Sequence, residues 1–219
     1  MKNNKLKDYI DNEIIPQYDS FDKAHDSNHV YRVIDLANRF IKHPRVKYRN
    51  INKDLVYAIC AYHDIGMTVD RPNHDFYSSL IFEKDKFISE YFNQLEINYG
   101  SDAITRHRSK FNGQRESIYA KVLAEADKEG IYDLDRMVER LWHYQVVHLP
   151  ELKTDKERFD EMNDYIIRAT SEKGKYNHSE IKIQYHIRQM KNVMEILKDP
   201  LNVQKILLYL GFIKNSIIV

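Results

Sequence analysis

Leu55–Gly66, LVYAICAYHDIG, is the stretch from which the rest of the chain is read. Leu55, Ile59 and Tyr62 recur at helical spacing, and Val56, Ala58 and Cys60 widen the apolar face, which predicts a helix buried on most sides. Gly66 is expected to stop it. The helix ends in an adjacent histidine and aspartate, His63 and Asp64. Taken alone, that pair reads as a helix-end imidazole and a solvated capping carboxylate. Beside a buried apolar run, however, an ionised carboxylate has to be paired or bound to a cation. A divalent metal would meet that need.

Other segments present suitable partners. His29 lies upstream in AHDSNHVYRVIDLA, and Asp127 lies downstream in IYAKVLAEADKEG. Between them stand His74, in RPNHDFYSS, and His107, in AITRHRSK. The order His29, His63-Asp64, Asp127 resembles the H…HD…D signature of the HD-domain metal-dependent phosphohydrolases. It looks similar to the small bacterial members whose first motif reads like HDxxHxxRV, here His25 to Val33. The similarity covers about residues 20–130. It implies an all-α, HD-type helical bundle with the metal site between its central helices. It also implies that His29, His63, Asp64 and Asp127 are the metal ligands.

Two imidazoles and two carboxylates form a mixed nitrogen and oxygen set that suits Mn, Fe, Co, Ni, Zn or Mg. Around an octahedral ion, four protein ligands leave room for a water and a phosphate oxygen. Asp64 is then expected to face the attacking water. His74 and His107 have three readings: ordinary helix histidines, groups that bind phosphate or move protons, or ligands of a second ion as in some two-metal relatives. The middle reading is favoured here, because a neutral imidazole can donate to a phosphoryl oxygen near neutral pH. Arg71, Arg106, Arg108, Lys110 and Arg115 surround them in sequence, and Lys128 follows Asp127. These are candidate phosphate-binding residues, weighed against the ordinary fate of charged side chains on a solvated face. Asp26 either orients the attacking water or caps the helix that carries His29. His25, His43, His143, His148, His178 and His186 have no ligand-like partner at helical spacing and are expected to be structural or exposed.

The composition sets the frame. Gly 6 and Pro 5 leave little material for tight hairpins, so an all-α fold is expected. Lys+Arg 34 against Asp+Glu 33 gives a net charge of +1, which disfavours a global attraction to nucleic acid or to an anionic membrane. Cys60 is the only cysteine and sits in the apolar helix, which fits a reducing cytoplasm. Neither a signal-peptide core nor a membrane span of about 20 apolar residues is found. One domain over 1–219 is expected, with a motif-bearing core at about 20–130 and C-terminal helices at about 131–219.

Helices are predicted at 4–15, ended by Pro16; at 27–42; from Asn52 or Asp54 to His63; from His74; at 87–99; and from a break at Gly100-Ser101 through His107 to Phe111. Further helices are predicted from Ser117 or Glu116 to Asp127 and at 133–148, 155–171, 178–198 and 201–214. No P-loop, dinucleotide-binding, serine-hydrolase or HExxH pattern occurs. The residues after Asp64 lack the acid that marks 5′-nucleotidase and alarmone-hydrolase relatives, and there is no Gly-Tyr-Pro motif.

The expected activity is hydrolysis of a phosphate ester or anhydride in a small molecule, most plausibly a nucleotide, by metal-activated water. The alternatives are a nonenzymatic phosphate-ligand sensor that keeps the metal site, and a di-iron oxygenase.

Overall fold

Helix α2, Ser27–Lys42, begins where the sequence places it. Asp26 is its N-cap, and one carboxylate oxygen accepts the His29 N–H at 3.0 Å. That contact satisfies one of the donors a helix start leaves unpaired. Asn52 does the same for α4, Lys53–Tyr62, by accepting from the amides of Asp54 and Leu55. Ser117 caps α8, Ile118–Ala126, through Tyr119 and Ala120. These elements belong to a computed structural model that describes residues 4–47, 50–108, 111, 113–128, 133–171, 181 and 183–217.

Among the described residues every regular element is helical, and the fold is all-α as the composition required. The remaining helices are α1 (Asn4–Tyr9), α3 (Pro44–Lys47), α5 (His74–Lys84), α6 (Lys86–Tyr91), α7 (Gln94–Thr105), α9 (Leu134–His148), α10 (Asp155–Thr170), α11 (Gln184–Leu197) and α12 (Pro200–Tyr209). No described helix is long and apolar enough to cross a membrane.

The chain divides into two compact units, residues 1–128 and 129–219. In the first, α4 is the central element. All its residues from Leu55 to Tyr62 are buried, and it packs against α2, α5, α7 and α8. An aliphatic side chain buried in this way contributes roughly 1.5–3 kcal/mol, so the burial of α4 is a main source of this unit's stability. In the second unit, α9 to α12 enclose a core that includes Val138, Trp142, Met162, Ile166, Leu197 and Val203.

Several boundaries depart from the sequence reading. Pro16 does not end the first helical stretch. After α1 the chain continues as a π-turn, Ile10–Ile14, and a 3-10 helix, Ile15–Ser20, in whose first turn Pro16 sits. A missing N–H costs nothing at that position. The break at Gly100-Ser101 is absent as well. Asn93 and Glu96 form a capping box that starts α7 early, and the helix runs through both residues.

Gly100 is there for packing. A Cβ at this position would lie 2.5 Å from the Phe82 ring. α7 then ends at Thr105, so His107 and Phe111 are not on a helix with Ile104. α12 stops at Tyr209, and Gly211 turns the chain with φ 75. Of the helix expected at 178–198, residues 178–180 and 182 lie outside the described residues.

Candidate metal centre

The candidate ligands come from helix ends. His29 occupies the first turn of α2, and His63 is the residue that closes α4. Asp64 follows with φ −113 and ψ 0, in the sparsely populated bridge region where active-site residues are often found. A short 3-10 helix, Ile65–Thr68, comes next. Asp127 closes α8, His74 opens α5, and His107 follows the end of α7. Gly66 lets the 3-10 turn lie directly on α5: a Cβ there would meet the His74 carbonyl oxygen at 2.3 Å and the Ser78 nitrogen at 2.4 Å. The Gly66 N–H donates to Ser78 Oγ at 2.8 Å, which ties the two elements together.

The side chains converge in two groups that share Asp64. In one, Asp64 Oδ2 lies 3.1 Å from His63 Nε2 and 3.9 Å from His29 Nε2. The two Nε2 atoms are 3.3 Å apart, and Asp127 Oδ1 is 3.4 Å from that of His29 and 3.6 Å from that of His63. In the other group, Asp64 Oδ1 lies 3.0 Å from His74 Nε2 and 3.3 Å from His107 Nε2. Within each group the donor atoms all fall within 4.8 Å of one another, as ligands of one ion would. His29, His63, Asp64, His74 and His107 are buried, whereas the Asp127 side chain keeps 25% exposure.

The proton count tests whether a cation fits. His63 Nδ1 lies 2.8 Å from the Cys60 carbonyl, His74 Nδ1 2.8 Å from that of Arg71, and His107 Nδ1 2.6 Å from that of Ile104. A carbonyl only accepts, so each Nδ1 carries the ring's hydrogen and a neutral ring turns its Nε2 lone pair inward. Those lone pairs face the carboxylate oxygens of Asp64 at hydrogen-bond distance. Acceptor against acceptor is tolerable only with a proton or a cation between them. The residues therefore fit a divalent metal, and the Nδ1 contacts are the kind that orient metal-binding imidazoles.

The titration behaviour agrees. Burial alone would lower the His63 pKa, but Asp64 and Asp127 outweigh it and the value is pushed up to about 10. Burial works against the ionised form of Asp64, yet the His63 charge and hydrogen bonds from His107, His63 and His74 hold its carboxyl well below the usual range. For Asp127, burial is likewise overcome, by hydrogen bonds from His29 and His63.

Residues 27–129 match the family model described as the HD domain. Over these residues the chain is similar to the HD-domain family. That family is one of metal-dependent phosphohydrolases, and the matched span contains both donor groups. No curated protein and no solved structure matches the chain significantly.

Around the two donor groups, the charged residues named from the sequence have partners within the protein. Asp26 acts as the cap of α2; its second oxygen accepts from Asn28 at 3.3 Å. Arg71 pairs with Asp22 and comes within 3.1 Å of His25 Nδ1. Arg106 pairs with Asp102 one turn earlier. Arg108 bonds Asp75 at 3.1 Å and the Pro72 carbonyl at 2.6 Å. Lys128 lies 3.5 Å from the fully buried Glu125. Each of these cations, expected to meet phosphate, already has a carboxylate partner. Arg115 instead donates to the carbonyls of Arg106, His107 and Arg108, closing the turn that carries His107. Lys110 lies outside the described residues.

His25 was discounted in the sequence, but the HD domain seats it beside the first donor group. Its Nδ1 is 2.8 Å from Asp22 Oδ1, and its ring centroid is 5.9 Å from that of His29. Burial lowers the His25 pKa despite Asp22, while Asp22 itself, against the pull of burial, is held well below the carboxylate range by His25 and Arg71. Asp22 and His25 at i, i+3 offered a weak signal. Tyr18, buried beneath the His63-Asp64 turn, offered none.

Proposed function

We propose that this HD domain hydrolyses a phosphate ester or anhydride of a small molecule, with a nucleotide as the substrate class to test first. The observation that carries the reading is the two-sided carboxylate of Asp64. Its Oδ2 faces His29, His63 and Asp127, while its Oδ1 faces His74 and His107.

In this reading His29, His63, Asp64 and Asp127 hold one divalent cation. His74 and His107 join Asp64 in holding a second, a role favoured over phosphate or proton handling because their Nε2 atoms already face a carboxylate oxygen. When bound, such cations lower the pKa of a coordinated water and neutralise charge that gathers on a phosphoryl group.

The chain's own contribution is orientation and water exclusion. The three backbone carbonyls keep each Nε2 inward, and burial holds Asp64 where it cannot be solvated instead. Because Arg71, Arg106 and Arg108 already have carboxylate partners, a substrate with one reacting phosphoryl group suits the site better than a triphosphate. The buried, single Cys60, whose thiol burial pushes up, supports action in a reducing cytoplasm without thiol chemistry.

The test is a screen of phosphomonoesters, diesters, nucleoside monophosphates and nucleoside triphosphates with chelator-treated protein and added Mn²⁺ or Co²⁺. The Asp64→Asn variant is run beside it. Metal-dependent phosphate release that disappears in the variant supports the reading, and release of equal rate with chelator present would refute it. A second reading, a di-iron oxygenase, draws on the Asp64, His74 and His107 group. Oxygen consumption by iron-loaded protein without phosphate release would select it.

A further inference from the structure

We propose that Tyr18 is a positioning residue for the metal centre: its hydroxyl holds the His63-Asp64 turn in the one conformation that lets Asp64 face both donor groups. The inference rests on the metal-centre reading given above.

At the end of α4 a continuing α-helix would pair the Asp64 N–H with the Cys60 carbonyl and the Ala61 carbonyl with the Ile65 N–H. Neither arrangement is used. The Cys60 carbonyl receives His63 Nδ1 at 2.8 Å, which is the contact that turns His63 Nε2 inward. This leaves the Asp64 N–H and the Ala61 carbonyl in need of partners in a place with no access to water. Tyr18 supplies both. Its hydroxyl donates to the Ala61 carbonyl at 2.8 Å and accepts the Asp64 N–H at 3.1 Å.

The tyrosine is fully buried, and its ring lies parallel within 30° to that of His63, at a centroid separation of 6.5 Å. It is carried by the 3-10 helix Ile15–Ser20, outside the span of the family match. One hydroxyl thus replaces two helical hydrogen bonds and frees the chain to enter the bridge conformation at Asp64, φ −113 and ψ 0. Without it, the turn can relax toward helix. The Asp64 N–H would then compete with His63 for the Cys60 carbonyl, and one oxygen of Asp64 would leave one of the two groups.

The experiment compares chelator-treated parent, Tyr18→Phe and a core control, Ile88→Ala. The control removes fully buried packing from α6, a helix that carries no proposed ligand. Affinities for Mn²⁺ are measured calorimetrically and the Co²⁺ absorption spectrum is recorded, each on folded protein, beside the thermal midpoint without metal. The expected result is at least a tenfold loss of Mn²⁺ affinity and an altered Co²⁺ spectrum in Tyr18→Phe. Ile88→Ala should lose midpoint but bind as the parent does. Equal affinity and an unchanged spectrum in Tyr18→Phe would reduce Tyr18 to ordinary core packing and overturn the proposal.

If the parent itself binds neither ion, the metal-centre reading falls first. Should Tyr18→Phe fail to fold, hydrogen exchange in the metal-free parent decides. An Asp64 amide protected like those inside α4 supports the proposal, and one that exchanges at the rate of an open loop refutes it.

Discussion

His63 Nε2 lies 3.1 Å from Asp64 Oδ2 although the hydrogen of a neutral His63 ring is engaged at Nδ1 by the Cys60 carbonyl. The pair is therefore held together by something that sits between the two atoms. In the metal-free protein this is a proton, which is why the His63 pKa is pushed up to about 10. A divalent cation held by His29, His63, Asp64 and Asp127 would take the proton's place.

Metal binding should consequently release a proton. His63 has a folded-state pKa raised above its ordinary value of about 6.5. Its contribution to metal-free stability is full below that value and is lost as pH rises toward about 10. Asp64 and Asp127 are depressed, so their contributions are present above about pH 4 and are lost as pH falls through their lowered pKa values. The metal-free protein is then best stabilised between about pH 4 and 6.5 by these groups. Apparent Mn²⁺ affinity should climb roughly tenfold per pH unit above neutrality for one displaced proton. Titrations in buffers of different ionisation enthalpy would measure it; a pH-independent affinity would contradict the arrangement.

His74→Ala should halve the metal content. If Asp64 bridges two ions, the variant keeps one equivalent bound by His29, His63, Asp64 and Asp127, and its phosphate release drops by about two orders of magnitude or more. Metal analysis after dialysis reads the stoichiometry. One equivalent in both parent and variant would return His74 to the phosphate- or proton-handling role.

Gly66→Ala should be destabilising and should damage the site together. The new methyl would sit 2.3 Å from the His74 carbonyl oxygen and 2.4 Å from the Ser78 nitrogen, and both are backbone atoms of a helix that cannot fold away. Forced overpacking of this kind costs typically about 1–3 kcal/mol. Displacement of α5 carries His74 off Asp64. A urea midpoint and a metal stoichiometry would both fall; a drop in the midpoint with both ions retained would show that α5 moves without taking His74.

Asp26→Ala separates capping from catalysis. Removing the side chain that accepts the His29 N–H should cost about 1 kcal/mol of stability. Once the variant is saturated with metal, its turnover should remain within a fewfold of the parent. A thousandfold loss of kcat at full metal loading would assign Asp26 to the chemistry instead.

Much of this was legible from local pattern. The 3.6-residue periodicity of Leu55–Tyr62 and the cap at Asp26 depend on neighbours a few residues away, and the histidines and aspartates were legible through their order along the chain; such signals survive in one dimension. The same locality explains the errors. Gly100 looks like a break because glycine is a poor helix former, yet its packing partner Phe82 lies 18 residues earlier and is invisible to any window around it.

By itself the sequence determined which residues could bind a cation, that the fold is all helical, and that the His63-Asp64 pair ends a buried helix. The local contacts of His63, His74 and His107 with carbonyls three residues earlier aim their Nε2 atoms, but the tertiary structure alone decided that those of His74 and His107 meet Asp64 Oδ1. That meeting depends on the approach of Gly66 to α5. The tertiary structure also decided that Arg71, Arg108 and Lys128 meet carboxylates, and that Tyr18, 46 residues before Asp64, holds its amide. The physical reason is that a donor set is defined by angles and distances of a few tenths of an ångström between separate helix ends. Only the packing of the whole unit sets those.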